Sequence, residues 1–352
     1  MSSTTLQDLA LPGGSIIAVT GANGFIASHV ADRLLSIGYL VWCTVRSPSK
    51  TRWLASNFDR AYGPRRFSLY VVPDVTKEGA FDKVVDSSDG LIHPIAITSL
   101  NPDPSHSVPQ NIALTLSLAR SASRSPSLKR LVYTSSSGAA ASPIPGEPYV
   151  VTSETYNEKA VAVAYSGKGA RRHGGRLHHL LSRQDEGQAG TLGVARRREA
   201  LSFVLNSVVP NAALGKVLSP EHQGFPTAVG IVKSTWQGNM TSEIITIMVL
   251  QHRRHRPRSH RALLVPDVRS ERPVAYAEPF NVNDLLAVFR KIHSDRPFPA
   301  DFPSLARDKG MIVNERVTEL LKRLKGGGWT TLKDSFAPLV EQYAAAERVS
   351  QQ

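Results

Sequence analysis

The sequence of 352 residues contains a single cysteine, Cys43, and no long apolar run. One cysteine excludes an internal disulfide framework and is typical of proteins in a reducing compartment. A membrane helix needs about 20 consecutive and mainly apolar residues, which the sequence does not offer. Residues 1–14 also lack the basic start and the apolar core of a secretory signal. We therefore expect a cytoplasmic protein with no membrane partner.

Positive charge, in contrast, is abundant: 42 Lys and Arg residues against 29 Asp and Glu residues give a formal net charge of +13. Such an excess is common in proteins that bind nucleic acids. Here it is concentrated in two segments. Residues 166–200 contain eight Lys and Arg residues against three acidic ones, and residues 241–262 contain five against one. Because the rest of the chain is close to balance, we expect no nucleic-acid partner.

Strand-like and helix-like patterns alternate along the first 140 residues, and one more strand-like run follows at 201–209. Apolar and β-branched runs predict strands at 15–20, 39–45, 67–72, 90–96, 128–134 and 201–209. Helical periodicity is found at 25–37, 79–85 and 110–122 and, after a strand-like run at 273–277, at 282–292, 317–324 and 332–347. Strands that alternate with helices predict a parallel sheet with crossover helices. The predicted fold class is therefore α/β.

The turn between the first strand and the first helix is rich in glycine. Gly21 permits a tight turn, and Gly24 lets the backbone approach a pyrophosphate closely. The N-terminus of the following helix attracts the anion. A glycine-rich turn can also be purely structural, but its position between a strand and a helix favours dinucleotide binding. The predicted cofactor-binding residues of this turn are Gly21, Ala22, Asn23, Gly24, Phe25 and Ile26.

The end of the second strand predicts which dinucleotide binds. A protein that binds NAD places an acidic residue there, on the ribose 2′-hydroxyl. This sequence has Arg46 at that position and Lys50 four residues later. Two cations are suited to a 2′-phosphate. The alternative is a pair of solvated surface charges, but the context favours NADP(H) as the cofactor.

Several motifs together are similar to one family. The stretches TGANGFIASHV, VRSPSK, KRLVYTSSS, SFVLNSVVPN and KGGGWT resemble the dihydroflavonol-reductase-like branch of the extended short-chain dehydrogenases/reductases. The fungal aldehyde and ketone reductases of that branch look most similar. The resemblance covers most of the chain. It implies a doubly wound Rossmann domain over residues 1–210 and a smaller C-terminal α/β substrate-binding region over residues 211–352.

The resemblance also implies roles for single residues. In this family a tyrosine is the general acid, a lysine lowers the pKa of that tyrosine and holds the nicotinamide ribose, and a serine hydrogen-bonds the substrate carbonyl. Ser136 matches the catalytic serine. Asp74 and Val75 match the contact on the adenine side, and Ala96 matches the loop after the fourth strand. Pro210, with its neighbour Asn211, matches the stretch beside the nicotinamide.

The sequence lacks the Tyr-x-x-x-Lys motif that should follow Ser136. Tyr156 is followed by Ala160 at the lysine position, and Tyr165 is followed by Gly169. The same stretch contains three histidines, but no carboxylate or cysteine framework accompanies them, so we expect no metal site. These histidines are His173, His178 and His179.

A change of reading frame accounts for the missing motif. Codons for residues 180–186, read one nucleotide later, permit Tyr in place of Leu180 and allow only Lys or Arg in place of Gln184. The shifted frame thus permits Tyr-Ser-Ala-Gly-Lys-Thr. We therefore expect that segments 166–200 and 241–262 are translated out of frame or through misassigned introns. The alternative is a genuine basic insertion that replaced the active-site helix.

The leading functional prediction is an NADPH-dependent reductase that transfers a hydride to an aldehyde or ketone of a small organic molecule, with a role in specialised metabolism. A second hypothesis is a catalytically impaired NADP-binding protein without the Tyr–Lys pair. A third is an epimerase or a hydroxysteroid-type dehydrogenase on the same fold, which Arg46 disfavours because such an enzyme would prefer NAD. The sequence predicts neither the substrate nor the oligomeric state.

Overall fold

The computed structural model describes residues 9–97, 104–165, 201–241, 251–252, 264–277, 279–305, 307–323 and 328–350. Its strands are β1 (Ile16–Val19), β2 (Leu40–Val45), β3 (Phe67–Val71), β4 (Gly90–His93), β5 (Arg130–Thr134), β6 (Pro148–Val151), β7 (Val204–Pro210), β8 (Gln251–His252), β9 (Val274–Ala275), β10 (Pro279–Phe280) and β11 (Lys309–Ile312). Its α-helices are α1 (Phe25–Ser36), α2 (Arg52–Tyr62), α3 (Asp82–Val85), α4 (Pro104–Arg124), α5 (Glu158–Tyr165), α6 (Pro220–Gln223), α7 (Thr227–Trp236), α8 (Val282–Ile292), α9 (Glu315–Arg323) and α10 (Leu332–Ser350).

Seven parallel strands form the central sheet in the order β3-β2-β1-β4-β5-β7-β9. The chain builds outward from β1 to β3, then returns to the other side of β1 and continues from β4. This reversal opens a crevice beyond the carboxyl ends of β1 and β4, where doubly wound folds bind their ligands. The predicted α/β fold with a doubly wound parallel sheet is confirmed.

The sheet is buried on both faces because helices cover each of them. Ile17 and Val19 of β1 pack in one core cluster with residues of α1 and α2, while Ala18 packs in another with residues of α3 and α4. All three side chains have no solvent exposure. Side chains alternate between the faces of a strand, so a strand covered on both sides is apolar throughout.

The helices α7, α8 and α10 pack around a separate apolar cluster. Trp236 lies at its centre, with ring contacts to Phe289 and Tyr343. The start of α8 is fixed by a capping box, in which the side chains of Asn281 and Asp284 bond each other's backbone N–H groups. This C-terminal cluster is the part of the chain that the sequence assigned to substrate binding.

Two strand pairs cross the predicted boundary at residue 210. Val209 and Pro210 of β7 pair with β9, and β6 pairs with β11. The two halves of the chain therefore share backbone hydrogen bonds, and the division at 210 stays a prediction. Nearly all of segments 166–200 and 241–262 lies outside the described residues. Within the described parts of the chain, no helix has both the length and the apolar character of a membrane span.

Candidate functional site

The glycine-rich turn after β1 is fixed on the end of β2. Gly21 has a φ of +75°, which favours glycine. Its N–H donates to Thr44 Oγ1 at 3.0 Å, and the N–H of Ala22 donates to the Thr44 carbonyl at 2.9 Å. A Cβ on Gly21 would lie 3.4 Å from the side chain of Ile95, in the loop after β4. The turn thus lies in the crevice between β1 and β4.

Gly24 is the N-cap of α1 and completes this turn. Its N–H donates to the Gly21 carbonyl at 2.9 Å, and an added Cβ would lie 3.2 Å from the same oxygen. Phe25 and Ile26 begin the helix, so their N–H groups have no acceptor within it. The first turn of α1 contains no acidic residue. Free amides and the positive end of the helix dipole together fit a pyrophosphate.

Arg46 and Lys50 lie next to this turn. Arg46 directly follows β2, two residues after the Thr44 that holds the turn, and Lys50 ends a short 3₁₀ turn at Pro48–Lys50. Both side chains are exposed, and neither has an ion-pair partner among the described residues. Two exposed cations without a competing carboxylate fit a phosphate group on the ribose of a dinucleotide.

The loop after β3 places Asp74 on the same edge of the sheet. The backbone N–H of Val72 donates to the carbonyl of Val45, directly before Arg46. The N–H and hydroxyl of Thr76 both donate to Asp74 Oδ1, at 3.0 and 2.6 Å, and hold the pKa of this carboxyl below its usual value. An ionised, exposed Asp74 can accept hydrogen bonds from an adenine or a ribose. Val75 is buried in the core and supports the loop.

The loop after β4 contains the exposed Ala96. Its next residue, Ile97, exchanges two hydrogen bonds of 2.9 Å with the side-chain amide of Asn111 on α4. This pair fixes the loop against the helix. Ala96 therefore lies near the glycine-rich turn, because Ile95 contacts Gly21.

Ser136 lies at the carboxyl end of β5, next to the end of β7. Its Oγ accepts a hydrogen bond of 3.3 Å from the N–H of Gly138 and caps a short 3₁₀ turn. The hydroxyl hydrogen has no acceptor among the described residues, so it is available for a substrate oxygen. Its neighbour Ser137 donates to Asn211 Oδ1 at 3.2 Å, directly after the buried Pro210.

A buried polar contact that the sequence did not predict supports these strand ends. His93 of β4 lies 2.8 Å from Thr20 Oγ1 through Nδ1, and its ring stacks on Tyr133 of β5 at 5.6 Å. Complete burial lowers the pKa of His93 to about 3, so the ring is neutral. The Thr20–His93–Tyr133 contact thereby joins the residue before the glycine-rich turn to the strand that ends near Ser136.

No described tyrosine is followed four residues later by a lysine. Tyr156 instead contacts Arg272, whose guanidinium carbon lies 4.2 Å from the centre of its ring. Tyr276 is buried, and desolvation raises the pKa of its hydroxyl. The positions of Leu180 and Gln184 lie outside the described residues, as do His173, His178 and His179.

Comparisons with known proteins identify the family. The model of the family described as "NAD dependent epimerase/dehydratase family" matches residues 17–177. Aldehyde reductase 2 of Sporidiobolus salmonicolor is 32% identical over 340 residues, which cover 95% of this chain and 98% of that protein. Ketoreductase adrE of Penicillium roqueforti is 33% identical over 345 residues, which cover 95% of this chain and 98% of that protein.

A solved structure agrees with the observed fold. Gre2 of Candida albicans in complex with NADPH superposes with a TM-score of 0.76 at 20% identity and covers 94% of this chain and 99% of that one. At such low identity the similarity concerns the fold alone. The two sequence relatives extend over nearly the whole chain at more than 30% identity. The chain therefore belongs to the NAD dependent epimerase/dehydratase family, the extended short-chain dehydrogenases/reductases, as its motifs predicted.

Proposed function

We propose that this protein is an NADPH-dependent reductase that acts on an aldehyde or ketone of a small organic molecule. The observation that carries this proposal is the phosphate cradle at Gly21 and Gly24, with the cations Arg46 and Lys50 beside it, which have no ion-pair partner within the described structure. Full-length relatives that are named aldehyde reductase and ketoreductase support the type of reaction. The proposed site of action is the cytoplasm, and the proposed substrate comes from specialised metabolism.

The proposal assigns a task to each part of the site. The N-terminus of α1 would hold the pyrophosphate, Arg46 and Lys50 the 2′-phosphate, and Asp74 the adenosine side. When bound, NADPH supplies the hydride. Ser136 would donate its free hydrogen to the substrate carbonyl oxygen and orient the carbonyl carbon toward the cofactor. Pro210 and Ala96 would border the nicotinamide half.

The general acid and its lysine remain to be assigned. In our proposal they are the residues that the shifted reading frame gives at positions 180 and 184. Segment 166–200 contains one of the two basic runs and is also where the motif is missing, and a change of frame there explains both. Family-like sequence resumes at β7, which pairs with β5 in register from Val204 opposite Arg130 onward.

A second candidate function is cofactor binding without turnover. The absence of Tyr-x-x-x-Lys from the sequence favours it, because carbonyl reduction needs a proton donor beside Ser136. The motif's lysine would hold the nicotinamide ribose, but the residues proposed for the pyrophosphate, the 2′-phosphate and the adenosine lie outside the motif. Such a protein would therefore bind NADPH and still fail to oxidise it in the presence of carbonyl substrates.

A peptide map and an activity screen decide between the two candidates. We would map the natively expressed protein by mass spectrometry across residues 166–200 and then follow NADPH oxidation over a panel of aldehydes and ketones. Peptides with Tyr-Ser-Ala-x-Lys and turnover that Ser136→Ala reduces by about 100-fold are expected. The control is Ser36→Ala, an exposed serine at the far end of α1. Peptides with the HHLLSR sequence, together with NADPH binding and no turnover, would establish the second function.

A further inference from the structure

A segment from the C-terminal half of the chain crosses over the start of α1. Residues 216–223, which we call the clasp, end with the short helix α6. The Lys216 carbonyl lies 2.7 Å from Nε2 of His29 on α1. The Gln223 side chain donates two hydrogen bonds of 3.0 Å, one to the Asn23 carbonyl and one to Ser28 Oγ. The clasp therefore contacts the predicted phosphate cradle directly.

Gln223 fixes one peptide plane of the cradle. Its own Oε1 accepts from the N–H of Ser219 at 3.2 Å, which sets the orientation of the amide and leaves the NH₂ group for Asn23 and Ser28. The carbonyl of the Asn23–Gly24 peptide is thus held by Gln223, and its N–H is held by Gly21. Both ends of this peptide are bonded, so it cannot rotate without loss of two hydrogen bonds.

A stacked pair of rings, Trp53 and His222, holds Asn23 by its side chain. The indole N–H of Trp53, on α2, donates to Asn23 Oδ1 at 3.3 Å. The Trp53 ring stacks on His222 of the clasp, with ring centres 5.1 Å apart and an interplanar angle of 17°. Nδ1 of His222 lies 2.8 Å from Ser219 Oγ, which orients the imidazole. Trp53 therefore holds the side-chain amide oxygen of Asn23, and Gln223 holds its backbone carbonyl oxygen.

We propose that Gln223 is a positioning residue for the phosphate cradle, and this inference rests on the proposed function. A carbonyl oxygen that turned toward a bound pyrophosphate would repel it, whereas the N–H groups at the start of α1 attract it. By holding the Asn23 carbonyl away, Gln223 keeps Phe25 and Ile26 amides open to the anion. The clasp thus couples the C-terminal region to cofactor affinity.

The chain provides a matched control in Gln342 on α10. Its side chain also makes two hydrogen bonds to the clasp, both of 2.8 Å and both to the backbone of Val217. Gln342 and Gln223 are both partly buried. Gln342 anchors the clasp without contact to the cradle. Gln342→Ala therefore removes two bonds that anchor the clasp, and none of them involves Asn23. Gln223→Ala removes two bonds between the clasp and α1 or the turn before it, and one bond within the clasp.

The test combines two measurements on the full chain. Amide hydrogen exchange without ligand, followed by mass spectrometry of peptides that cover residues 21–28, reports the cradle alone. NADPH affinity, from fluorescence titration, reports its consequence. We expect Gln223→Ala to speed amide exchange about tenfold and to weaken NADPH binding about tenfold, the factor for loss of one hydrogen bond. Gln342→Ala should change the exchange rate and the affinity by less than about twofold.

The outcomes separate this inference from the proposed function. Equal effects of the two variants, or unchanged exchange in Gln223→Ala, would overturn the positioning role, since the clasp would then be a structural element only. Wild-type protein that does not bind NADPH would overturn the proposed function, while the exchange data would still decide whether Gln223 holds the cradle. A Gln223→Asn variant, whose shorter side chain cannot reach Asn23, should behave like Gln223→Ala.

Discussion

The two cations after β2 should control the choice between NADPH and NADH. Arg46 and Lys50 are exposed and unpaired within the described structure, so neither supports the fold through an ion pair. A hydrogen bond to a charged group contributes about 1.5–3 kcal/mol, and exposure to solvent favours the lower end. A value of about 1.5 kcal/mol corresponds to about tenfold in the dissociation constant.

We therefore expect Arg46→Ala and Lys50→Ala each to weaken NADPH binding about tenfold, and the double variant about 100-fold if the effects add. NADH, which has no 2′-phosphate, should bind each variant within about twofold of the wild type. Fluorescence titration with both cofactors gives the two dissociation constants. The charge-matched control is Arg60→Ala, an exposed arginine in the last turn of α2.

The salt dependence of cofactor affinity is an independent test of whether Arg46 and Lys50 contact the 2′-phosphate. Binding of the additional phosphate should make NADPH affinity fall more steeply with ionic strength than NADH affinity, because exposed charges are screened. The double variant should lose this difference. If Arg46→Ala weakened NADH as much as NADPH, its effect would come from the turn rather than from the 2′-phosphate, and our assignment of the two cations would be wrong.

Three predictions concern stability. Gly310→Ala should destabilise the fold by about 2 kcal/mol in urea unfolding, because the new Cβ would overlap the Tyr149 ring, and much less in a Tyr149→Ala background. The pKa of His93 is about 3 in the folded protein, below its value in the unfolded chain. Its contribution to the free energy of unfolding is therefore complete above about pH 6.5 and is lost as the pH falls toward 3. Between pH 7 and 5 the free energy of unfolding should fall by about 2 kcal/mol for this reason. His93→Gln should remove this pH dependence, and an unchanged pH dependence would contradict the neutral state of His93 in the folded protein. Arg296→Lys should cost about 1 kcal/mol, since the guanidinium stacks 4.2 Å from the Trp236 ring centre; an unchanged urea midpoint would refute it.

The sequence predicted the elements whose signals are local. Gly21 and Gly24 are three residues apart between an apolar run and an amphipathic helix, and this spacing alone indicates the turn that the structure contains. The predicted start of α4 was wrong. Helical periodicity indicates a helix from residue 110, but α4 begins at Pro104 and includes Pro109. Pro104 takes the first helical position, where proline is favoured, but Pro109 is the sixth residue and removes one intrahelical hydrogen bond.

Other elements were missed because their signals are weak or distant. The helix α2 buries only Leu54 and Phe58, so its apolar periodicity is short. The bonds of Gln223 to Asn23 and Ser28 join residues about 200 positions apart in the sequence, and a glutamine at the end of a short helix has no local pattern that predicts its partner. His93 was read as part of a buried strand, and only the sheet order brings it beside Thr20 and Tyr133.

In our proposal, most contacts to the cofactor and the proton donor for turnover lie in different parts of this chain. The cradle, the two cations and Asp74 lie on β1, β2 and β3 and the loops after them, while the proton donor that we propose would come from residues 166–200, outside the described structure. NADPH affinity alone therefore does not distinguish a reductase from a protein that binds the cofactor without turnover. Ser136 does distinguish them, because in our proposal its hydroxyl donates to the substrate carbonyl and does not contact the cofactor. In a reductase, Ser136→Ala should lower NADPH oxidation and leave NADPH affinity unchanged; in a binding protein it should change neither.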